Sequence, residues 1–220
     1  MNHKIKFENI DFDAILCLNG EISHFEYINE SKGRIYCADG AANKLIEQNI
    51  IPDYIIGDLD SINYNHLSLN YPNINFHKFN SQETNDFEKC LKFLKKLNKI
   101  NILLFGMQGG ELEHTLNNWS VLKRYSNQLN LIVLHNDRYA FVVKQNIEII
   151  LKKNETISII PQTTCTLKTR GLVWNLNNET LELGKREGAR NSVKSQSVAI
   201  ELIEGEYLLF IDSRYPAVII

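Results

Sequence analysis

Short apolar runs and amphipathic stretches alternate along the first two thirds of the chain. "AILCLNG" (14–20) and "RIYCADG" (34–40) are apolar runs closed by turn residues, the pattern of buried strands. "AANKLIEQN" (41–49) predicts a short helix, and "DYIIGD" (53–58) another strand and turn. In "FEKCLKFLKKLNK" (87–99), Phe87, Cys90, Leu91 and Leu94 recur at i, i+3, i+4 and i+7, which predicts an amphipathic helix. "NILLFG" (101–106) predicts a strand, "EHTLNNWSVLKRYS" (113–126) a helix and "LNLIVLHND" (129–137) a strand. Strands alternating with helices imply βαβ units and a mainly parallel sheet.

After about Val143 the texture changes. "ETISIIP", "TLKTRGLVWNL", "ETLELG", "SVKSQSVAIELI" and "EYLLFIDS" are short strand-like runs, several alternating in polarity. "EGE" (204–206) reads as a hairpin turn between the last two. The expected division is an α/β domain over 1–143 and an antiparallel β-sandwich over 144–220, with no low-complexity linker between them.

The 220 residues carry a formal net charge of −2, so no global basic field draws nucleic acid to the chain. An anionic substrate needs local donors or a metal. The four cysteines lie in or beside apolar runs and form no CxxC pair, which reads as buried reduced thiols in a cytoplasmic protein. Acidic residues Glu8, Asp11 and Asp13 break up the N-terminal stretch, so it does not read as a signal peptide, and no run has transmembrane length. No membrane partner is expected.

In open α/β sheets ligands bind beyond the carboxyl ends of the strands. The predicted strand ends carry Asp39 and, in "GDLDS", Asp58 and Asp60. "QETNDFE" (82–88) and "GGELEHTLNN" (109–118) open the helices that follow. A crevice lined by carboxylates and glycines suits Mg²⁺, which takes oxygen ligands and bridges to substrate phosphates. Helix starts after Gly40 and Gly110 offer backbone N–H donors. Neither GxxxxGK[ST] nor GxGxxG occurs. Each feature also has a plain structural reading: Asp86 as a first-turn acid behind the cap Asn85, Asp39-Gly40 as a turn, Asp58 and Asp60 as turn residues, His114 as a packing or capping group, and Trp174 as core.

"CADGAANKL", "PDYIIGDLDSI", "QETNDFEKCL", "GGELEHTLNN" and "GLVWNL" occur in this order, and together the chain resembles the thiamine pyrophosphokinase (thiamine diphosphokinase) family. The resemblance runs from about Ile15 to the final strands. It implies a Rossmann-like N-terminal α/β domain that binds ATP and Mg²⁺, followed by a β-sandwich that binds thiamine. It implies transfer of the diphosphate of ATP to the hydroxyl of thiamine, giving thiamine diphosphate and AMP, by a homodimer with active sites between subunits. By motif, Asp58, Asp60 and Asp86 are the metal and phosphate carboxylates. Asp39, Gly40, Gly57, Gln82, Glu83, Gly110 and His114 surround ATP. Trp174 stacks on the pyrimidine ring of thiamine, and Asn191, with Arg190 before it, matches a Ser-Asn pair that contacts thiamine.

Several positions depart from the family pattern. Glu111 stands where an arginine is usual, Glu113 where Asp is usual, Asn85 in place of threonine and Arg190 in place of serine. Arg190 or Lys185 is a candidate for the lost positive charge. Two further readings follow: another Mg²⁺-dependent phosphotransferase on the same scaffold with an altered substrate, and a non-catalytic thiamine or nucleotide binding protein.

Overall fold

The computed structural model describes residues 3–5, 12–31, 33–79 and 83–213. In chain order the elements are β1 (His3–Ile5), β2 (Ala14–Cys17), α1 (Phe25–Glu30), β3 (Arg34–Ala38), α2 (Ala41–Glu47), β4 (Tyr54–Gly57), α3 (Tyr64–Asn70), β5 (Asn75–Lys78) and α4 (Asp86–Lys96). Then follow β6 (Asn101–Phe105), α5 (Leu112–Tyr125), β7 (Asn130–His135), β8 (Arg138–Val143), β9 (Ile147–Ile150), β10 (Thr156–Arg170), β11 (Asn177–Glu182), β12 (Gly188–Ser192) and β13 (Ser197–Asp212). The chain divides into two compact units, Asp11–Asn136 and Met1–Ile10 with Asp137–Ile220.

In Asp11–Asn136 six parallel strands run in the order β7-β6-β2-β3-β4-β5. All four residues of β2 are buried, because helices cover both faces of such a sheet and leave no polar side to the strand. From β2 the chain builds outward through β3, β4 and β5, then returns to place β6 on the other flank of β2. The order therefore reverses between β2 and β6, the place in such a sheet where ligands bind beyond the strand ends.

The helix expected over 87–99 is α4. Its N-cap, Asn85, accepts a hydrogen bond from the Glu88 N–H at 2.9 Å. Asp86 and Glu88 complement the positive end of the helix dipole, and Lys95 and Lys96 the negative end. Phe87, Cys90, Leu91 and Leu94 are buried, as the spacing requires. Glu88 is also buried. It accepts hydrogen bonds from Arg124 at 2.7 Å and Tyr125 at 3.1 Å, which fastens α4 to α5.

The second unit is antiparallel apart from the β1–β9 pair. The long strand β10 pairs with β11, β12 and β13, and β13 also pairs with β8 and β9. Alternate residues of these strands, among them Ile157, Ile159, Leu167, Val198, Ile200, Leu209 and Ile211, close its core. The expected hairpin at "EGE" is absent: Glu204, Gly205 and Glu206 lie inside β13. Gly205 takes φ 84, and a Cβ there would stand 2.2 Å from the Thr164 carbonyl oxygen. The glycine serves a register shift between β10 and β13 rather than a chain reversal. All four cysteines are buried free thiols.

Candidate active site

Three aspartates converge beyond the ends of β3 and β4. Asp39 follows β3 in a left-handed conformation (φ 31), and its N–H donates to the Ile56 carbonyl at 2.9 Å. Gly57 ends β4, and a Cβ there would approach the Asp39 Cβ to 2.8 Å, so glycine lets the two strand ends close up. Between Asp58 and Asp60, Leu59 also takes a positive φ, 65°. The result is one carboxylate oxygen from each of Asp39, Asp58 and Asp60, all within 4.8 Å of one another.

The electrostatics of this group fit a divalent cation. Asp39 is 3% exposed, and its Oδ1 is buried without a hydrogen-bond partner. Burial, helped by the neighbouring Asp58 and opposed by hydrogen bonds from Ser61, pushes the Asp39 carboxyl up to about 6. An orphaned oxygen beside two more carboxylates is costly when all are ionised, and a hard cation removes that cost with the ligand type it prefers.

Asp58 also faces a cleft of about 640 Å³. Its walls are the loop after β2 (Asn19, Gly20), the loop after β6 (Gly106, Gly109, Gly110), the start of α4 and the first turns of α5. It therefore lies at the order reversal of the sheet. The two loops cross backbone on backbone. A Cβ at Gly106 (φ 69) would be 2.1 Å from the Leu18 carbonyl oxygen, and one at Gly20 would be 2.2 Å from the Gln108 carbonyl oxygen. Lys44 Nζ donates to the carbonyls of Asn19 and Gly20, each at 2.7 Å, and holds the first loop down.

The other residues expected near the nucleotide fall in different places. Glu83, Asp86, Gly110 and His114 line the cleft. Gly40 is the N-cap of α2, packed on Asn19. Gln82 lies outside the described residues. Glu111 lines the cleft beside His114, with Oε2 and Nε2 3.4 Å apart. Asp86, expected among the metal carboxylates, bonds Lys89 Nζ at 2.9 Å, and the trio above contains Asp39 instead.

Lys89 was not legible as a site residue. It is 4% exposed, yet it lines the cleft. Burial pulls its ammonium pKa down, but the bond to Asp86 and the charges of Asp58 and Asp39 outweigh that and raise it. The available signal was a lysine one turn after Asp86, next to the apolar stripe position Cys90.

In the second unit a cavity of about 320 Å³ is lined by Leu172, Trp174, Leu176, Leu181, Arg186 and Asn191, among others. Asn191 clamps the tryptophan backbone: its Oδ1 accepts from Trp174 N–H at 3.2 Å and its Nδ2 donates to the Trp174 carbonyl at 2.7 Å. The Trp174 side chain is not core, being 65% exposed. Arg190 lines the same cavity with φ 56, its N–H bonded to Ser158 Oγ at 2.9 Å. Lys185 is held by Glu182 at 2.8 Å.

Two family models match the chain: the thiamin pyrophosphokinase catalytic domain over residues 25–134 and the thiamin pyrophosphokinase vitamin B1 binding domain over residues 144–205. Thiamine pyrophosphokinase 1 of Oryza sativa subsp. japonica is 26% identical over 85% of this chain and 82% of its own length. Thiamin pyrophosphokinase 1 of Caenorhabditis elegans is 29% identical over 91% of each chain. The fold matches the crystal structure of yeast thiamin pyrophosphokinase with TM-score 0.79 at 19% identity, covering 93% of this chain and 87% of that one. It matches the enzyme from Bacillus subtilis with TM-score 0.78 at 18% identity, covering 91% and 99%. With both halves matched in order and a cleft of the right chemistry, the chain belongs to the thiamin pyrophosphokinase family, whose members are enzymes that form thiamine diphosphate with ATP.

Proposed function

We propose that this chain transfers the diphosphate of ATP to the hydroxyl of thiamine, and that the acidic trio beside the cleft is where a magnesium ion meets the phosphates. The observation that carries the reading is the convergence of Asp39, Asp58 and Asp60 at the edge of a glycine-walled cleft at the sheet reversal. Asp39, Asp58 and Asp60 would hold Mg²⁺, which neutralises phosphate charge when bound.

The protein's own groups do the rest. The N–H groups of the Gly106–Gly110 loop and of the first turn of α4 supply donors for phosphate oxygens. Lys89 places a protonated ammonium in the cleft, and Asp86 holds it. The thiamine hydroxyl forms a bond to the β-phosphorus, the bond from that phosphorus to the α–β bridging oxygen breaks, AMP leaves, and the hydroxyl proton is lost. Positioning of hydroxyl against phosphorus is the main catalytic contribution. In the second unit Trp174 presents an exposed aromatic side chain, suited to a flat cationic ligand. In this reading the segment 1–143 binds ATP, 144–220 binds thiamine, and the molecule is a cytoplasmic homodimer. Among the described residues no helix is long and apolar enough to cross a membrane.

The test is incubation with ATP, Mg²⁺ and thiamine, with nucleotide products resolved by chromatography. Thiamine-dependent AMP supports the reading. ADP would indicate simple phosphoryl transfer to another acceptor, and no nucleotide turnover would indicate a binding protein. Asp58→Asn should remove AMP formation and leave the fold intact; retained activity would take Asp58 out of the site.

A further inference from the structure

The cleft is walled by three segments distant in sequence, and two asparagines tie them together. Asn85 uses both ends of its amide. Its Oδ1 caps α4 by accepting from Glu88 N–H at 2.9 Å, and its Nδ2 donates to Asn118 Oδ1 on α5 at 3.1 Å. Asn118 in turn donates through Nδ2 to the Met107 carbonyl at 3.0 Å, in the loop after β6. Asn85 and Asn118 both line the cleft, and Met107 is buried behind it.

We infer that Asn85 and Asn118 form a positioning bridge that sets the distance between the first turn of α4 and the Gly106–Gly110 loop, and so the fit of the nucleotide phosphates between them. The inference rests on the reading of this cleft as the ATP site. The first turn of α4 carries Asp86 and Lys89, and the facing loop carries the glycines. A shift of α4 along its axis would move the lysine and the helix N–H groups away from whatever the loop holds. A side chain with a single oxygen at 85, such as the threonine usual in the family, caps the helix but is too short to reach Asn118 as well. This chain also has Glu111 where the family has an arginine. Its phosphate donors are therefore mainly backbone groups and Lys89, which act only when held in register.

Asn85→Ser retains a capping oxygen and loses the bridge. Calorimetric titration with MgATP should show binding weakened about threefold to tenfold in Asn85→Ser and in Asn118→Ala, the loss expected for one positioned hydrogen bond. The double variant should be no weaker than either single variant, because each breaks the same bridge. KM for thiamine should be unchanged. Wild-type affinity in Asn85→Ser, or additive losses in the double variant, would overturn the bridge. Thermal unfolding checks each variant, and if Asn118→Ala does not fold, Asn85→Ser decides alone. MgATP binding by the wild type without thiamine-dependent AMP defeats the diphosphotransfer reading and leaves the bridge to be judged on affinity. No MgATP binding by the wild type defeats both.

Discussion

The Asp39 carboxyl is the most constrained group at the site, with one oxygen buried and unbonded and two other carboxylates beside it. Held up to about 6, it is a cost to the metal-free fold whenever it is ionised. Its stability contribution is complete at low pH and is lost as pH rises through about 6. Asp39→Asn keeps the shape, tolerates the left-handed backbone and removes the charge. At pH 8 without metal it should be more stable than wild type by on the order of 1 kcal/mol. The same variant should lose magnesium affinity and diphosphotransfer. Thermal melts with and without Mg²⁺ check both halves, and a variant that melts lower without metal would contradict the assignment. Asp39 illustrates what a sequence conceals. An Asp-Gly pair after a strand also reads as a turn, and only the approach of β4 through Gly57 brings its carboxylate beside those of Asp58 and Asp60.

Among the elements, the crossing of the loops after β2 and β6 and the α4–α5 clamp determine the cleft. Gly106→Ala would force a Cβ against the Leu18 carbonyl in a left-handed conformation. It should cost at least about 1–2 kcal/mol and distort the loop after β6. A lowered melting temperature with raised KM for ATP is the expected result. The clamp has a pH signature. Burial raises the Glu88 pKa, but hydrogen bonds from Lys92 and Tyr125 and the charge of Arg124 outweigh it, so the folded value lies below the ordinary 4.5. That stabilisation is present above pH 4.5 and is lost as pH falls through the lower folded value. Glu88→Gln should lower stability near neutral pH and flatten the acid limb of the stability profile, measured by denaturant unfolding. The amphipathic spacing of α4 revealed its apolar face and its ends. It did not reveal that Glu88 and Lys89 would also be buried, because Arg124 and Tyr125 of α5 close over Glu88 and the cleft walls surround Lys89.

For the molecule, the alternation of patterns separates a parallel α/β unit from an antiparallel one, with the acidic cleft in the first and the Trp174 cavity in the second. The homodimer of the proposed function is a claim at this scale. Static light scattering should give twice the mass of one chain. A single-chain mass with full thiamine-dependent activity would remove the homodimer from the proposed function.

Hydrophobic periodicity alone determined the helices α2, α4 and α5, the parallel core strands, the change to antiparallel strands, and the acidic strand ends. These follow from local spacing, since a strand or helix must bury whichever residues its own period puts on one face. The short α1, α3 and β5 carried no such signal. "EGE" misled because a glycine at positive φ serves a bulge as well as a turn, and the partner strand decides which. Tertiary structure alone decided that Asp39 joins Asp58 and Asp60 and that Asn85 reaches Asn118. Those groupings depend on the order of strands in the sheet. Strand order is a long-range packing result that no local period encodes.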